Sequence, residues 1–499
     1  VTTFQQNNAP SEQARAFLAR ATHQHFIDGE GVPAASGQTL TTIDPSTGED
    51  LARLAAGDGA DVDRAVRAAR RAFNGQWSTW TPYGRQALLT RIGQILDERF
   101  EELIQIEAMD MGAPVSRLRG SKPALLKMVS FFAAQAANIS GETLMNGIPG
   151  NVTTMTLKAP VGVVGGIIPW NGPLNGQFWI IGAVLASGCT AVLKPSEEAS
   201  LSVLRVAEIL YEAGVPAGVI NVVTGRGKDA GHALAAHHDV DRIAFTGSTQ
   251  TGRSIIEAST VNIKKLQLEL GGKSADIVCA DADLGKAVPG AAMGVFANSG
   301  QICFAGTRVL VQRPIVDEFT ERLLAFTDTL RIGPSLDDTT SLGPVVSQAQ
   351  LDKVLSYIDV GRADGAELLR GGGRLDGELA GGYFVQPTVF GGVTNDMRIA
   401  REEIFGPVLS ILPFDDLDEA IAIANDSEYG LGGAVWSQSL STAFRVVQGV
   451  HTGTMWVNCY GHIDPLVGFG GTKMSGYGSK GSAAHMDTYL YTKSVYMEL

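Results

Sequence analysis

Apolar residues recur at helical spacing over 86–109, where Leu89, Ile92, Leu96, Leu103 and Ile106 share one face. A shorter helix is predicted to begin at Asp61 as its N-cap, with Val62, Val66 and Ala69 turned inward. The middle of the chain alternates. Strands are predicted at 161–168, 190–193, 219–223 and 242–245, with helices at 202–213 and 249–258. Parallel strands joined by helical crossovers form a sheet whose ligands sit beyond the carboxyl ends of the strands. Another strand starts at Ser274, and the same alternation continues to about residue 470, which predicts a second α/β domain. The tail from Tyr489 alternates as a strand with no obvious partner, the kind that adds to another subunit's sheet. No charge occurs from Ala159 to Leu193, yet Pro169, Asn171, Pro173, Asn175 and Gln177 interrupt the run. A buried strand, a loop and a buried helix are expected there, not a membrane span.

Composition narrows the class. Of 499 residues, 44% are hydrophobic, enough for large cores. The net charge of −13 repels phosphate backbones, so nucleic acid is excluded as a partner. The opening Val1-Thr-Thr-Phe-Gln-Gln-Asn-Asn has no basic region before an apolar run, so no signal peptide is expected. Four scattered cysteines, Cys189, Cys279, Cys303 and Cys459, form neither a disulfide framework nor a zinc site, and no metal is expected. A reducing, cytoplasmic setting follows, in which one of them can be a nucleophile.

Three glycine-rich matches fail. Gly476-Tyr-Gly478-Ser-Lys-Gly481 lacks the strand–turn–helix context of a dinucleotide fingerprint. The segment ending Gly272-Lys273-Ser274 has Gln267 where a phosphate loop needs its first glycine. Gly225 and Gly227 follow a strand and could approach a cofactor, but lack the full spacing. No histidine lies near a candidate nucleophile in sequence, so a Cys–His pair has no support.

Five segments remain. Ile168, Pro169, Trp170 and Asn171 end a buried strand; Asn171 is a turn former or a donor aimed into a cleft. Lys194-Pro-Ser196-Glu197 is a solvated loop or a clamp for the adenosine ribose, and Glu197 would repel a 2′-phosphate, favouring NAD over NADP. Phe245-Thr-Gly247-Ser248 opens a helix, as a plain cap or a pyrophosphate site. Glu269, followed by Leu270, stands in an apolar frame that raises a carboxyl pKa and suits a general base, unless it faces solvent on an edge strand. Cys303 sits among small and polar neighbours with Gly300 and Gly306 around it, which suits a nucleophile better than a packed thiol.

Taken together and in order, these segments resemble the aldehyde dehydrogenase superfamily over nearly the whole chain. The most specific pieces are Glu269-Leu-Gly-Gly-Lys and Gly300-Gln-Ile-Cys303; Glu402-Glu403-Ile-Phe405-Gly-Pro and Trp456-Val-Asn458 support them. The resemblance implies an α/β fold with a Rossmann-like cofactor domain (1–139 and 161–270), a second α/β catalytic domain (271–475) and a small β oligomerisation element (140–160 and 476–499). It implies NAD-dependent oxidation of an aldehyde to a carboxylic acid in a homodimer or homotetramer. It makes Cys303 the nucleophile, Asn171 with the Cys303 N–H the oxyanion hole, and Glu269 the base that activates water. Lys194, Ser196, Glu197, Gly227, Phe245, Gly247, Ser248, Leu270, Glu403 and Phe405, with Ile168, Pro169 and Trp170, would hold the cofactor. Relatives that pass the acyl group to coenzyme A tend to lack the Glu269 carboxylate, so water is the implied acceptor.

Two departures stand out. Where many relatives carry Arg-Glu, this chain has Ser479-Lys480, which puts the family's proton relay in doubt. Gly172 and Gly176 stand where relatives place bulk, and Ile463 lies in a loop with little aromatic mass. With Trp179, Ile302, Phe304, Leu466 and Phe469 as walls, a wide apolar tunnel for a bulky aldehyde is expected. Two rival expectations are a non-redox acyl-transferring or ester-hydrolysing enzyme and a binding protein that has lost its activity.

Overall fold

The computed structural model describes residues 9–498. The stretch 1–8, on which the absence of a signal peptide was inferred, and Leu499, the end of the expected tail strand, lie outside the described residues. Two α/β units are built on separate parallel-rich sheets. In the first, the order across the sheet is Glu30–Val32, His25–Ile27, Ile220–Val222, Thr190–Pro195, Val163–Ile168, Arg242–Thr246, Lys265–Glu269 and Gly476–Tyr477. The five strands from Ile220–Val222 to Lys265–Glu269 run parallel. The chain builds outward from Val163–Ile168 on one side, then returns to lay Arg242–Thr246 on its other side. The order reverses between those two strands, and the crevice beyond their carboxyl ends is where such sheets bind ligands.

Packing follows from sequence. Pro173–Ser187 has Asn175, Gln177 and Ser187 as its only polar positions and is buried against the helices Pro82–Met111 and Lys122–Ala136. Each fully buried Leu, Ile or Phe there contributes about 1.5–3 kcal/mol. The helix predicted over 86–109 runs Pro82–Met111. The Thr81 hydroxyl accepts from the Gly84 N–H, Pro82 takes the first turn, and Gly112 ends the helix at φ 83°. Asp61 is not the N-cap of the shorter helix. Gly59–Asn74 is capped by Asp58, and Asp61 closes a reciprocal capping box from the third position. The charge-free run forms a strand, a loop and a buried helix, and among the described residues no helix is long and apolar enough to cross a membrane.

The second sheet runs Glu367–Arg370, Thr388–Gly391, Val408–Phe414, Arg308–Gln312, Ala275–Val278, Gly432–Trp436 and Thr454–Val457. The tail strand does have a partner in its own chain. Leu490–Glu498 pairs antiparallel with Val152–Pro160 along its whole length, and Thr143–Leu144 completes a small three-stranded sheet. Within the stretch 476–499, Gly476–Tyr477 pairs with the first sheet beside Glu269, the helix Ser482–Asp487 follows, and Leu490–Glu498 joins the small sheet.

Candidate active site

A cleft of about 180 Å³ opens beyond the switch point of the first sheet. Pro169, Trp170 and Asn171 line one wall, Gly247, Ser248 and Leu270 the next, and Cys303, Glu403 and Phe405 the third. Residues from three strand ends of one sheet thus meet loops of the other. Trp170 and Phe405 touch edge to face at 5.2 Å between ring centroids. The cleft also takes Thr246, Gly271, Gln350 and Lys353, which sequence reasoning did not single out.

The loop carrying Cys303 is held in a demanding shape. Asn298 and Ser299 both take φ near 55°, and Gly300 takes φ 73°. A Cβ at Gly300 would collide with the Gly406 carbonyl, so glycine is required for this close approach. The buried Gln301 anchors the turn, its Oε1 accepting from the Val346 N–H at 2.9 Å. The Asn171 amide donates to the Gln301 carbonyl at 2.9 Å, and Asn298 Nδ2 donates to the Asn171 carbonyl at 3.2 Å. Arg117 donates to Asn298 Oδ1 at 3.1 Å, so a guanidinium braces the layer behind the cysteine. No local motif announces Arg117; only the fold brings it there.

Cys303 keeps part of its surface exposed, yet burial of its surroundings pushes the thiol up to about 12, with Lys480 opposing and Glu403 and Glu269 adding to the rise. Glu269 is only 2% exposed. It is not on a solvent-facing edge, because Gly476–Tyr477 covers the strand beside it. Neither carboxylate oxygen has a hydrogen-bond partner. Burial pushes this carboxyl up to about 8, against the pull of Lys480.

Lys194 and Glu197 pair with each other at 2.9 Å, and Glu197 Oε1 accepts from the Gly227 N–H at 3.2 Å. Ser196 holds the turn, its N–H donating to the Ile168 carbonyl. Ser248 caps the helix Thr249–Ala258 by accepting from the Thr251 N–H, which leaves the helix N-terminus facing the cleft beside Gly247. Phe245 lies just behind, in the wall of a second, narrow cavity with Gly176, Trp179 and Lys480. Glu403 Oε1 accepts from the Gly272 N–H at 3.0 Å; burial pushes its carboxyl up, against the pull of that bond, Lys353 and Lys273.

The tunnel residues do not share one environment. Phe304, Phe469 and Trp456 cluster beside Cys303, with ring centroids 5.4–5.6 Å apart. Gly172 has nothing within 4 Å of where a Cβ would point, and neither has Gly176. Trp179 stacks on His485, and Ile463 and Leu466 are exposed. Ile302, next to the cysteine, is half-buried.

The model of the aldehyde dehydrogenase family matches residues 32–495. The chain belongs to that family. As a member it is an oxidoreductase acting on aldehyde groups. A betaine aldehyde dehydrogenase of Rhizobium leguminosarum bv. trifolii is 44% identical over 482 residues, 96% of this chain and 98% of that protein. The aldehyde dehydrogenase of Bacillus cereus, solved as its NAD+ complex, superposes with TM-score 0.96 at 42% identity, covering 99% of this chain and 100% of that one. The indole-3-acetaldehyde dehydrogenase AldA of P. syringae, solved with NAD+ and IAA, superposes with TM-score 0.94 at 42% identity, covering 97% and 98%.

Proposed function

We propose that the chain oxidises a bulky apolar aldehyde to its carboxylic acid with NAD, through a covalent adduct on Cys303. The observation that carries this reading is that Cys303 and Asn171 line one crevice beyond the sheet's switch point, while the buried, unpartnered Glu269 stands close enough behind it to raise the Cys303 thiol. Cys303 loses its proton and its sulfur bonds to the aldehyde carbon, sending the carbonyl electron pair onto oxygen. The Asn171 amide and the Cys303 N–H receive that oxyanion; one such donor is typically worth about 3–4 kcal/mol. A nicotinamide cofactor held by Gly247, Ser248, Glu403 and Phe405 would supply the acceptor for the hydride of that carbon, which leaves the carbon as a thioester. Glu269 then takes a proton from water, the oxygen bonds to that carbon, and the C–S bond breaks to release acid and thiolate. A redox-silent esterase would leave the crevice and its helix N-terminus without a task.

The cleft suits the cofactor chemically. The helix N-terminus at Gly247 and Ser248 faces where a pyrophosphate would need donors. The Lys194–Glu197 pair and Gly227 lie outside the lining of that cleft, at the end of the neighbouring strand Thr190–Pro195, and are assigned to ribose hydroxyls, while Glu403 and Phe405 line the cleft with Cys303. A carboxylate at Glu197 opposes a 2′-phosphate. Replacing Glu197→Gln is expected to raise KM for NAD about tenfold and to narrow the preference over NADP, read from initial rates with each cofactor.

For substrate size, the open space at Gly172 and Gly176 and the aromatic cluster at Phe304 support bulk. The P. syringae relative named for indole-3-acetaldehyde fits the same class. Gly172 takes φ 157°, where a side chain is strained, so the helical Gly176 is the better position to fill. Gly176→Phe is expected to lower kcat/KM at least about tenfold for aromatic, terpenoid or long-chain aldehydes and to spare acetaldehyde. NADH formation across an aldehyde panel tests both statements; a native preference for acetaldehyde would refute the bulky class.

We also propose the domain division given above, with the small sheet as the oligomerisation element. Both long strands present exposed apolar residues there, Leu157, Tyr491 and Tyr496 among them.

A further inference from the structure

Lys480 belongs to a segment that wraps the end of the strand carrying Glu269. Gly476 pairs with Glu269 and Tyr477 with Leu268, and the Ser479 carbonyl accepts from Gln267 Nε2 at 2.8 Å. The Lys480 backbone exchanges two hydrogen bonds with Phe469, both 2.7 Å. With its main chain fixed on both sides, the side chain runs into the narrow second cavity and donates from Nζ to Thr246 Oγ at 2.7 Å. Thr246 is the register partner of Glu269 on the neighbouring parallel strand, so the two side chains leave the sheet next to each other on the same face. Thr246 also lines both the Cys303 cleft and the second cavity, and so stands at the wall between them.

We propose that Lys480 is a positioning residue for the reacting pair: its ammonium, anchored on Thr246, is the resident counter-charge beside which the Cys303 thiolate and the Glu269 carboxylate form. This rests on the roles assigned to those two residues above. The charges around the pair support it. Glu269 is acted on by Lys480; Cys303 is acted on by Lys480, Glu403 and Glu269. Of the other titratable groups lining the second cavity, His485 feels Arg242 and Lys480 and is held neutral by burial, and burial likewise pushes the Tyr489 hydroxyl up. Lys273 and Lys353 act on Glu403 instead. Lys480 is thus the cation common to both reacting groups. When the Cys303 S–H bond breaks, sulfur keeps the electron pair and the proton leaves to solvent water. The same ammonium stabilises the negative charge on sulfur in the first half of the reaction and on the Glu269 carboxylate before it takes the proton of the attacking water in the second.

The test reads the thiol directly in cofactor-free protein. The rate of Cys303 alkylation by iodoacetamide is measured from pH 6 to 10, beside the pH profile of kcat. In Lys480→Met alkylation is expected to be roughly tenfold slower throughout that range, and the midpoint of kcat to move up by about one unit, because a favourable positive charge is gone. Lys480→Arg should restore both profiles to within about threefold, since the charge is restored. A merely structural lysine would move thermal stability and leave the profiles in place. Unshifted profiles in a folded Lys480→Met protein overturn the proposal. Should that variant fail to fold, Thr246→Val decides: it keeps the charge and removes its anchor, and its alkylation profile must move in the same direction or the proposal falls. Failure of the underlying reading looks different, because Cys303→Ala would then lose alkylation and keep aldehyde oxidation.

Discussion

Cys303→Ala is expected to lower aldehyde-dependent NADH formation by about four orders of magnitude or more, while NAD binding stays within about twofold of the parent. The size follows from what is lost. Without the sulfur no covalent adduct forms, and the remaining donors can orient an aldehyde but cannot convert its carbon into one that surrenders hydride readily. Binding is spared because the cysteine is one edge of a cleft whose other walls come from Pro169–Asn171, Gly247, Ser248, Glu403 and Phe405. The alanine removes one sulfur from a loop already held by Gln301, Asn298 and Gly300, so the turn should persist. Cofactor affinity by fluorescence titration and turnover by absorbance at 340 nm give the two numbers. Undiminished oxidation would remove the central step of the proposed chemistry, and a parallel loss of NAD binding would show that the loop, not the sulfur, had been damaged.

Much of the architecture was legible because local signals agreed with the tertiary outcome. The alternation of strand and helix through the first sheet placed its strand ends, and the segments just beyond them, within a residue or two. Signals were misjudged where two residues competed for one task. Asp58 and Asp61 both suit a helix start, and only the geometry shows Asp58 capping while Asp61 reaches back. Thr81-Pro82 is a helix-start signature that extends the long helix by a turn beyond its apolar stripe. The tail strand lacked a visible partner because its partner, Val152–Pro160, lies more than 300 residues away, and pairing at that distance leaves no local trace. The cleft was harder still. Gln350 and Lys353 lie on the surface of the helix Gln348–Ala363, where polar residues are unremarkable until the fold turns that face toward Glu403. Lys480 was visible as a departure, but its meeting with Thr246 depends on the strand Gly476–Tyr477 closing the first sheet.

Glu269→Gln is expected to separate the two halves of the reaction. Hydride transfer needs the thiol adduct and a bound cofactor, so one NADH per active site should still appear in a rapid burst. Steady-state turnover should fall by about 10²–10³, because water then attacks the thioester without a base. Stopped-flow absorbance resolves the two phases, and undiminished turnover would remove Glu269 from the mechanism. The wild-type profile carries the same signature. Burial lifts this carboxyl to about 8, so it is protonated and inert as a base below that pH, and kcat should rise through about pH 8. The glutamine variant should lose that rise. Stability must move the opposite way. The unfolded chain releases this proton near 4.5 and the folded chain near 8, so folding retains a proton between those values. Stability from the neutral buried carboxyl is complete below about 4.5 and is lost as pH rises through about 8. A glutamine never ionises and escapes that loss. Its thermal midpoint should match the parent's at pH 5 and exceed it at pH 9, in the range where the parent is most active. A site that needs a buried charge to work thus holds its catalytic form at the expense of its stability, and the two pH dependences of one side chain must mirror each other.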